Sequence, residues 1–122
     1  MFLFIGDDVV RKYRISLGNR PVGTKRFEGD GKTPEGLYHI THHNPRSAYH
    51  LSLGVSYPND QDRAFAEEHG RKPGGDIMIH GQGRKYRGRR DDWTAGCIAV
   101  TDAEIEEIYA MVPNGTPILI FP

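Results

Sequence analysis

The sequence predicts a mainly β fold with one or two short helices. Fifteen glycines and eight prolines in 122 residues break the chain too often for a helix bundle. Between the breaks run short segments in which apolar and polar residues alternate, the period of a half-buried strand. Only two stretches combine a helix start signal with a helical continuation.

In chain order, Met1 to Ile5 is an apolar first strand stopped by Gly6-Asp7-Asp8. Val9 to Ser16 then alternates through Val9, Tyr13 and Ile15, so the intervening residues turn a hairpin. Leu17 to Pro21 is a turn, and Glu28 to Pro34 is too polar and glycine-rich for a ladder. Gly36 to Thr41 resumes as a strand, with Leu37, His39 and Thr41 on one face and Tyr38 and Ile40 on the other. Tyr49 to Val55 is a further strand. Tyr57-Pro58-Asn59-Asp60 marks a turn and helix start, and Gln61 to His69 is a short helix ending at Gly70. The apolar run Asp76 to His80 is a buried strand with His80 at its end. Gly81 to Asp92, with Arg84, Lys85, Arg87, Arg89 and Arg90, is a loop. Thr101 and Glu104 form a capping box, and Ile105, Ile108, Tyr109 and Val112 give the second helix its apolar stripe. Pro117 to Phe121 closes as a last strand.

The chain has the length of a single domain, 1–122. Sixteen basic residues balance sixteen acidic ones, which argues against a general nucleic-acid or membrane-surface role. One cysteine rules out an internal disulfide. Met1 to Ile5 is too short for a signal h-region or a membrane span, so export would require a leader or a specialised secretion route.

The sharpest chemical feature is His80-Gly81 followed, after sixteen residues, by the cysteine of Thr94-Ala95-Gly96-Cys97. A free thiol is only a few per cent thiolate at neutral pH, and an adjacent imidazole that takes its proton makes it a usable nucleophile. Gly96 permits a tight turn that aims the Gly96 and Cys97 amides at a developing oxyanion. The competing reading is a small buried hydrophobe in Cys97 and a hydrogen-bonded structural residue in His80.

Ile79-His80-Gly81 with Thr94-Ala95-Gly96-Cys97-Ile98 resembles the YkuD-type L,D-transpeptidase motif. Pro21-Val22-Gly23-Thr24-Lys25 and Thr33-Pro34-Glu35-Gly36-Leu37-Tyr38-His39-Ile40 are similar to that family's upstream signature, and all three blocks occur in the family's order. The resemblance covers most of the chain. It implies an L,D-transpeptidase-like β-sandwich, a cysteine acyl-enzyme and a peptidoglycan stem-peptide substrate in the periplasm or cell wall. His80 would then be the base, Gly81 would hold its ring through a backbone carbonyl, and Gly96 would contribute to the oxyanion hole. Two positions depart from the family pattern: Ala95 replaces a histidine, and Ala99 replaces an arginine or asparagine. The Gly-Cys-x-Ala-x-Thr form, with Ser47 to His50 and Tyr57 to Asn59, is closer to the YafK-like branch, which includes a hydrolase that detaches lipoprotein from peptidoglycan. Transfer to an amine and hydrolysis therefore both stand as readings, beside a wall-binding module without chemistry.

Thr94, His50, Tyr57, Asn59, Trp93 and Arg87 are the candidate substrate contacts. Each has a structural alternative: Trp93 as a core anchor, His50 as a solvent-facing strand residue, Tyr57 and Asn59 as turn chemistry, and Arg87 as part of a solvated loop. The six histidines lack metal-ligand spacing, and adjacent His42 and His43 point to opposite faces. Neither metal nor cofactor is expected.

Overall fold

A glycine in the left-handed region starts the fold. Gly6, at φ +59°, turns β1 (Phe2–Ile5) back into β2 (Asp8–Lys12), an antiparallel pair with Phe2 opposite Lys12 and Ile5 opposite Asp8. The computed structural model, which describes residues 1–122, places this hairpin apart from a five-stranded sheet. That sheet is built from β3 (Gly36–Ser47), β4 (His50–Val55), β5 (Met78–His80), β6 (Ile98–Ala99) and β7 (Pro117–Ile120), in the order β6-β5-β4-β3-β7. All neighbours are antiparallel except β5 and β6, which run parallel.

The two helices are α1 (Asp60–Glu68) and α2 (Asp102–Met111). Asn59 caps the first: its side chain accepts from the Asp62 amide while the Asp62 carboxylate accepts from the Asn59 amide. Thr101 and Glu104 do the same for the second. Neither helix is long and apolar enough to cross a membrane.

β3 runs six residues beyond the strand expected from the sequence. Its ladder to β4 is irregular between Ile40 and His43 and again between Asn44 and Ser47. Those bulges let the polar, proline-containing stretch His42 to Ser47 remain paired.

The pairing register divides the central sheet into two chemically different faces. Leu53, Ile79 and Ile98 stand in one cross-strand row, all almost fully buried. Ile105 and Ile108 of α2 join them in the apolar core, together with Tyr13, Tyr38, Ile40, Val55, Tyr57, Ile77 and Val100. The next row, Ser52, His80 and Ala99, lies one residue further along each strand and so projects from the opposite face. A bridge between Ser16 and Ala99 extends that row to a fourth segment. Hydrophobic burial fixes the register, because a slip of one residue would exchange the aliphatic row for the histidine row. The core therefore determines which way His80 points.

Candidate active site

His80 ends β5, where the strand meets Gly81. Hydrogen-bonded pairs flank it: the Gly81 amide donates to the Leu51 carbonyl at 3.3 Å, and the Val55 amide to the Ile77 carbonyl at 2.9 Å. Ser52 and His80 are thus a non-hydrogen-bonded pair, the type in which side chains approach most closely. The Ser52 hydroxyl is buried there without a partner. The imidazole Nδ1 lies 2.6 Å from the Gly81 carbonyl oxygen. A carbonyl only accepts, so the proton sits on Nδ1 and Nε2 carries the free lone pair. Burial lowers the pKa of His80, with the Gly81 carbonyl opposing it weakly, so the ring is neutral at pH 7.

Cys97 directly precedes β6. His80 pairs with Ala99 and Ile79 with Ile98 in the parallel β5–β6 ladder, so Cys97 lies two residues before the strand partner of His80, toward the Met78 end of β5. The thiol is half-buried and donates to the Asp76 carbonyl at 3.3 Å; no hydrogen bond joins it to the His80 ring. Burial raises its pKa, the Asp76 carboxylate adds to the effect, and the Met78 amide and Lys25 ammonium oppose it. Thiol and imidazole are therefore both uncharged at rest.

The turn before Cys97 is held by side-chain chemistry. Thr94 Oγ1 donates to the Cys97 carbonyl at 2.7 Å and accepts from the Gly96 amide at 3.1 Å. Gly96 adopts φ +145°, and a Cβ there would come within 2.7 Å of the Lys32 carbonyl. Thr33 accepts from the Gly18 amide at 3.1 Å, and Gly18 bridges to Thr94. The upstream Thr33-Pro34 block and the cysteine block therefore form one structural unit. The Gly96 amide, expected from sequence to face an oxyanion, is already engaged by Thr94. The Cys97 amide makes no hydrogen bond within the protein and is free to donate.

A scan against family models matches residues 1–120 to the YkuD L,D-transpeptidase catalytic domain. This chain belongs to that family. It is 34% identical over 102 residues to the putative L,D-transpeptidase YafK of Escherichia coli, covering 82% of this chain and 36% of that protein. Among solved structures it is similar to the helical cell shape determining protein Pgp2 of Campylobacter jejuni, at 31% identity and TM-score 0.68, covering 86% of this chain and 36% of the other. It also superposes on an L,D-transpeptidase from Mycobacterium smegmatis at TM-score 0.61 and 17% identity, over 95% of this chain and 51% of the other, a likeness of fold. The chain spans about a third of the length of the curated relatives it matches.

Within this YkuD domain, the structure gathers some of the residues singled out from sequence and separates others. His80 and Gly81 lie at the end of β5, and Thr94, Gly96 and Cys97 form the turn that enters the neighbouring strand β6. Trp93 joins them, its ring centroid 5.8 Å from that of His80, and it stacks on Tyr86 at 4.2 Å and 15°. Arg87 is exposed on the Gly81 to Asp92 loop. That loop is tied at its base by Asp102, whose Oδ1 accepts from the Gln82 and Gly83 amides at 2.8 and 3.0 Å. His50 instead reaches α2, with Nε2 2.8 Å from Glu106 Oε1. Tyr57 is a core residue rather than a cleft wall: it packs edge-on to Tyr38 at 6.0 Å and donates to the Pro73 carbonyl at 2.8 Å. Asn59 is occupied as the α1 cap.

Sequence reasoning missed one neighbour of Cys97 and one of His80. Asp76 supplies the carbonyl that holds the thiol, from a left-handed φ of +54° that is uncommon outside glycine. Tyr49 lies flat on the His80 ring, with centroids 4.2 Å apart and planes 17° apart. An aromatic residue in the turn before a strand carries no local sign of that contact.

Proposed function

We propose that this domain transfers acyl groups of peptidoglycan stem peptides through a Cys97 thioester, with His80 as the base, an L,D-transpeptidation. The observation that carries the reading is the Nδ1 contact of His80 with Gly81 at 2.6 Å, which leaves Nε2 unprotonated, with Cys97 two residues before the strand partner of His80. The Cys97 sulfur attacks the carbonyl at an L-centre to D-centre bond while its proton passes to Nε2. The developing oxyanion accepts from the Cys97 amide. Collapse breaks the C–N bond, and the imidazolium returns its proton to the leaving amine. An acceptor amine then attacks the thioester, gives up its proton through His80 and restores the thiol.

Hydrolysis of the same thioester is the second reading. It is favoured by Ala95 and Ala99, small apolar residues at positions where the family pattern has polar ones. Ala95 is exposed next to the nucleophile, so no side chain there contacts an acceptor amine or excludes water.

Incubation with disaccharide-tetrapeptide and a D-amino acid, followed by mass spectrometry, tests the proposal. Exchange products that disappear in Cys97→Ala support transfer; shortened peptides without exchange support hydrolysis. Absence of any product from a soluble, folded wild-type domain would reject both. The site of action that goes with this reading is the cell wall.

A further inference from the structure

The Tyr49–His80 stack is built from several independent constraints. The Tyr49 amide donates to Ser47 Oγ at 3.1 Å, and its carbonyl accepts from the Leu51 amide at 3.1 Å. The next residue, His50, adopts φ +78°, a strained conformation for a side chain of its size, and its ring is held by Glu106 at 2.8 Å. On the other side, the loop leaving His80 presses against this turn. A Cβ on Gly81 would stand 2.7 Å from the Tyr49 carbonyl, and one on Gly83 would stand 3.1 Å from the Ala48 carbonyl. Trp93 closes the arrangement, 5.8 Å from both rings and tilted to each. The Nδ1 contact with Gly81 restrains the imidazole at one atom, and a flat partner fixes the plane.

We propose that Tyr49 is a positioning residue for His80, its stacked ring fixing the plane in which Nε2 meets Cys97, with His50 and Glu106 anchoring Tyr49 from the α2 side. This rests on the reading of His80 as the base for Cys97. The role belongs to the ring rather than the hydroxyl, since that hydroxyl forms no hydrogen bond within the protein. Tyr49 and Trp93 lie against the imidazole and Ser52 pairs with His80 across the strands; burial, to which the stacked Tyr49 ring contributes, lowers the imidazole pKa, and the Gly81 carbonyl opposes this.

Alkylation of Cys97, the single cysteine, by iodoacetamide across a pH series tests the proposal without any wall peptide. Tyr49→Phe keeps the ring and is expected to retain the wild-type rate and acid limb. Tyr49→Leu is expected to react about fivefold more slowly at neutral pH, the scale of one aromatic pair, with its acid limb moved up toward the ordinary imidazole value. Wild-type NMR provides a check that needs no variant: a ring proton of His80 lies upfield under the Tyr49 ring current. An unchanged rate and limb in a Tyr49→Leu protein with a lowered melting temperature would make Tyr49 packing alone and overturn the inference. Unshifted His80 ring protons in the wild type would also overturn it. A His80→Gln variant that alkylates like wild type would overturn the base assignment and this inference together, whereas a null result with muropeptides leaves the alkylation test standing.

Discussion

Gly96 rests against Lys32: a Cβ on the glycine would stand 2.7 Å from the Lys32 carbonyl oxygen and 3.2 Å from Ile77 Cδ1. The residue before Cys97 and the loop of the upstream signature thus share one van der Waals surface. Gly96→Ala meets both a backbone clash and a φ of +145°. The expected loss is about 2–4 kcal/mol. In a domain of this size that lowers the melting temperature by roughly 6–15 °C. Alkylation of Cys97 should slow as well, because the Gly96 to Cys97 turn has to shift. A melting temperature within a degree of wild type would contradict this packing.

What the sequence disclosed follows the range of the interactions involved. The Thr101–Glu104 capping box, the Gly6 turn and the alternation of Gly36 to Ile40 are encoded within a few residues, and each appears where it was read. The motif blocks singled out His80 and Cys97, and the sheet sets their separation: parallel pairing of His80 with Ala99 puts Cys97 two residues before the strand partner of His80. The placements of Tyr57, Asn59 and His50 were not legible, since each residue type suits a cleft as well as a cap or core and only the tertiary neighbours decide. The same holds for the Gly96 amide. Nothing local announces that the Thr94 hydroxyl turns back to take it.

Thr94 gives the second prediction. Its hydroxyl serves both the Cys97 carbonyl and the Gly96 amide at a site that is 4% exposed, so water replaces neither bond. Thr94→Val leaves a buried donor and a buried acceptor unmatched, an expected cost of about 2–3 kcal/mol. Thr94→Ser keeps the hydroxyl and should recover most of it. Urea denaturation of the three proteins measures the difference. A loss in Ser with none in Val would show that the methyl packing, not the hydroxyl, holds the turn.

The neutral state of the dyad sets the pH dependence. Burial holds His80 below its ordinary 6.5, so the free-base ring persists to lower pH and the acid limb of activity falls below that value. The stability effect has the same sign. As pH falls, the unfolded chain takes up the imidazole proton first, so the His80 contribution is present above about 6.5 and is lost as pH falls through the folded value. The stability gap between wild type and His80→Gln should therefore narrow on acidification from about pH 8 to 5. Thermal melts across that range measure it. A gap that widens toward acid would mean that the folded protein favours the imidazolium.

Lys25 and Asp30 provide the last test, beneath the nucleophile loop. The Lys25 side chain is 4% and the Asp30 side chain 13% exposed, with Nζ and Oδ1 3.0 Å apart. Asp30 also accepts from the Arg26, Phe27 and Lys32 amides at 2.8, 3.0 and 3.1 Å. Burial works against its charge, yet those amides and the ammonium together hold its pKa below the usual carboxylate range. The contribution is accordingly present above the ordinary 3.8 and lost as pH falls through the lower folded value. Asp30→Ala removes the charge and leaves a buried ammonium and three amides without their acceptor. Breaking such a pair costs about 3–5 kcal/mol. Because Lys32 and Thr33 connect this loop to Gly96 and Gly18, the damage should reach the site, and Cys97 alkylation should change with the melting temperature. Chemical denaturation of Asp30→Ala, with Asp30→Asn as the near-isosteric control, decides it. A loss below about 1 kcal/mol would place the pair with ordinary surface salt bridges and remove it from the support of the nucleophile.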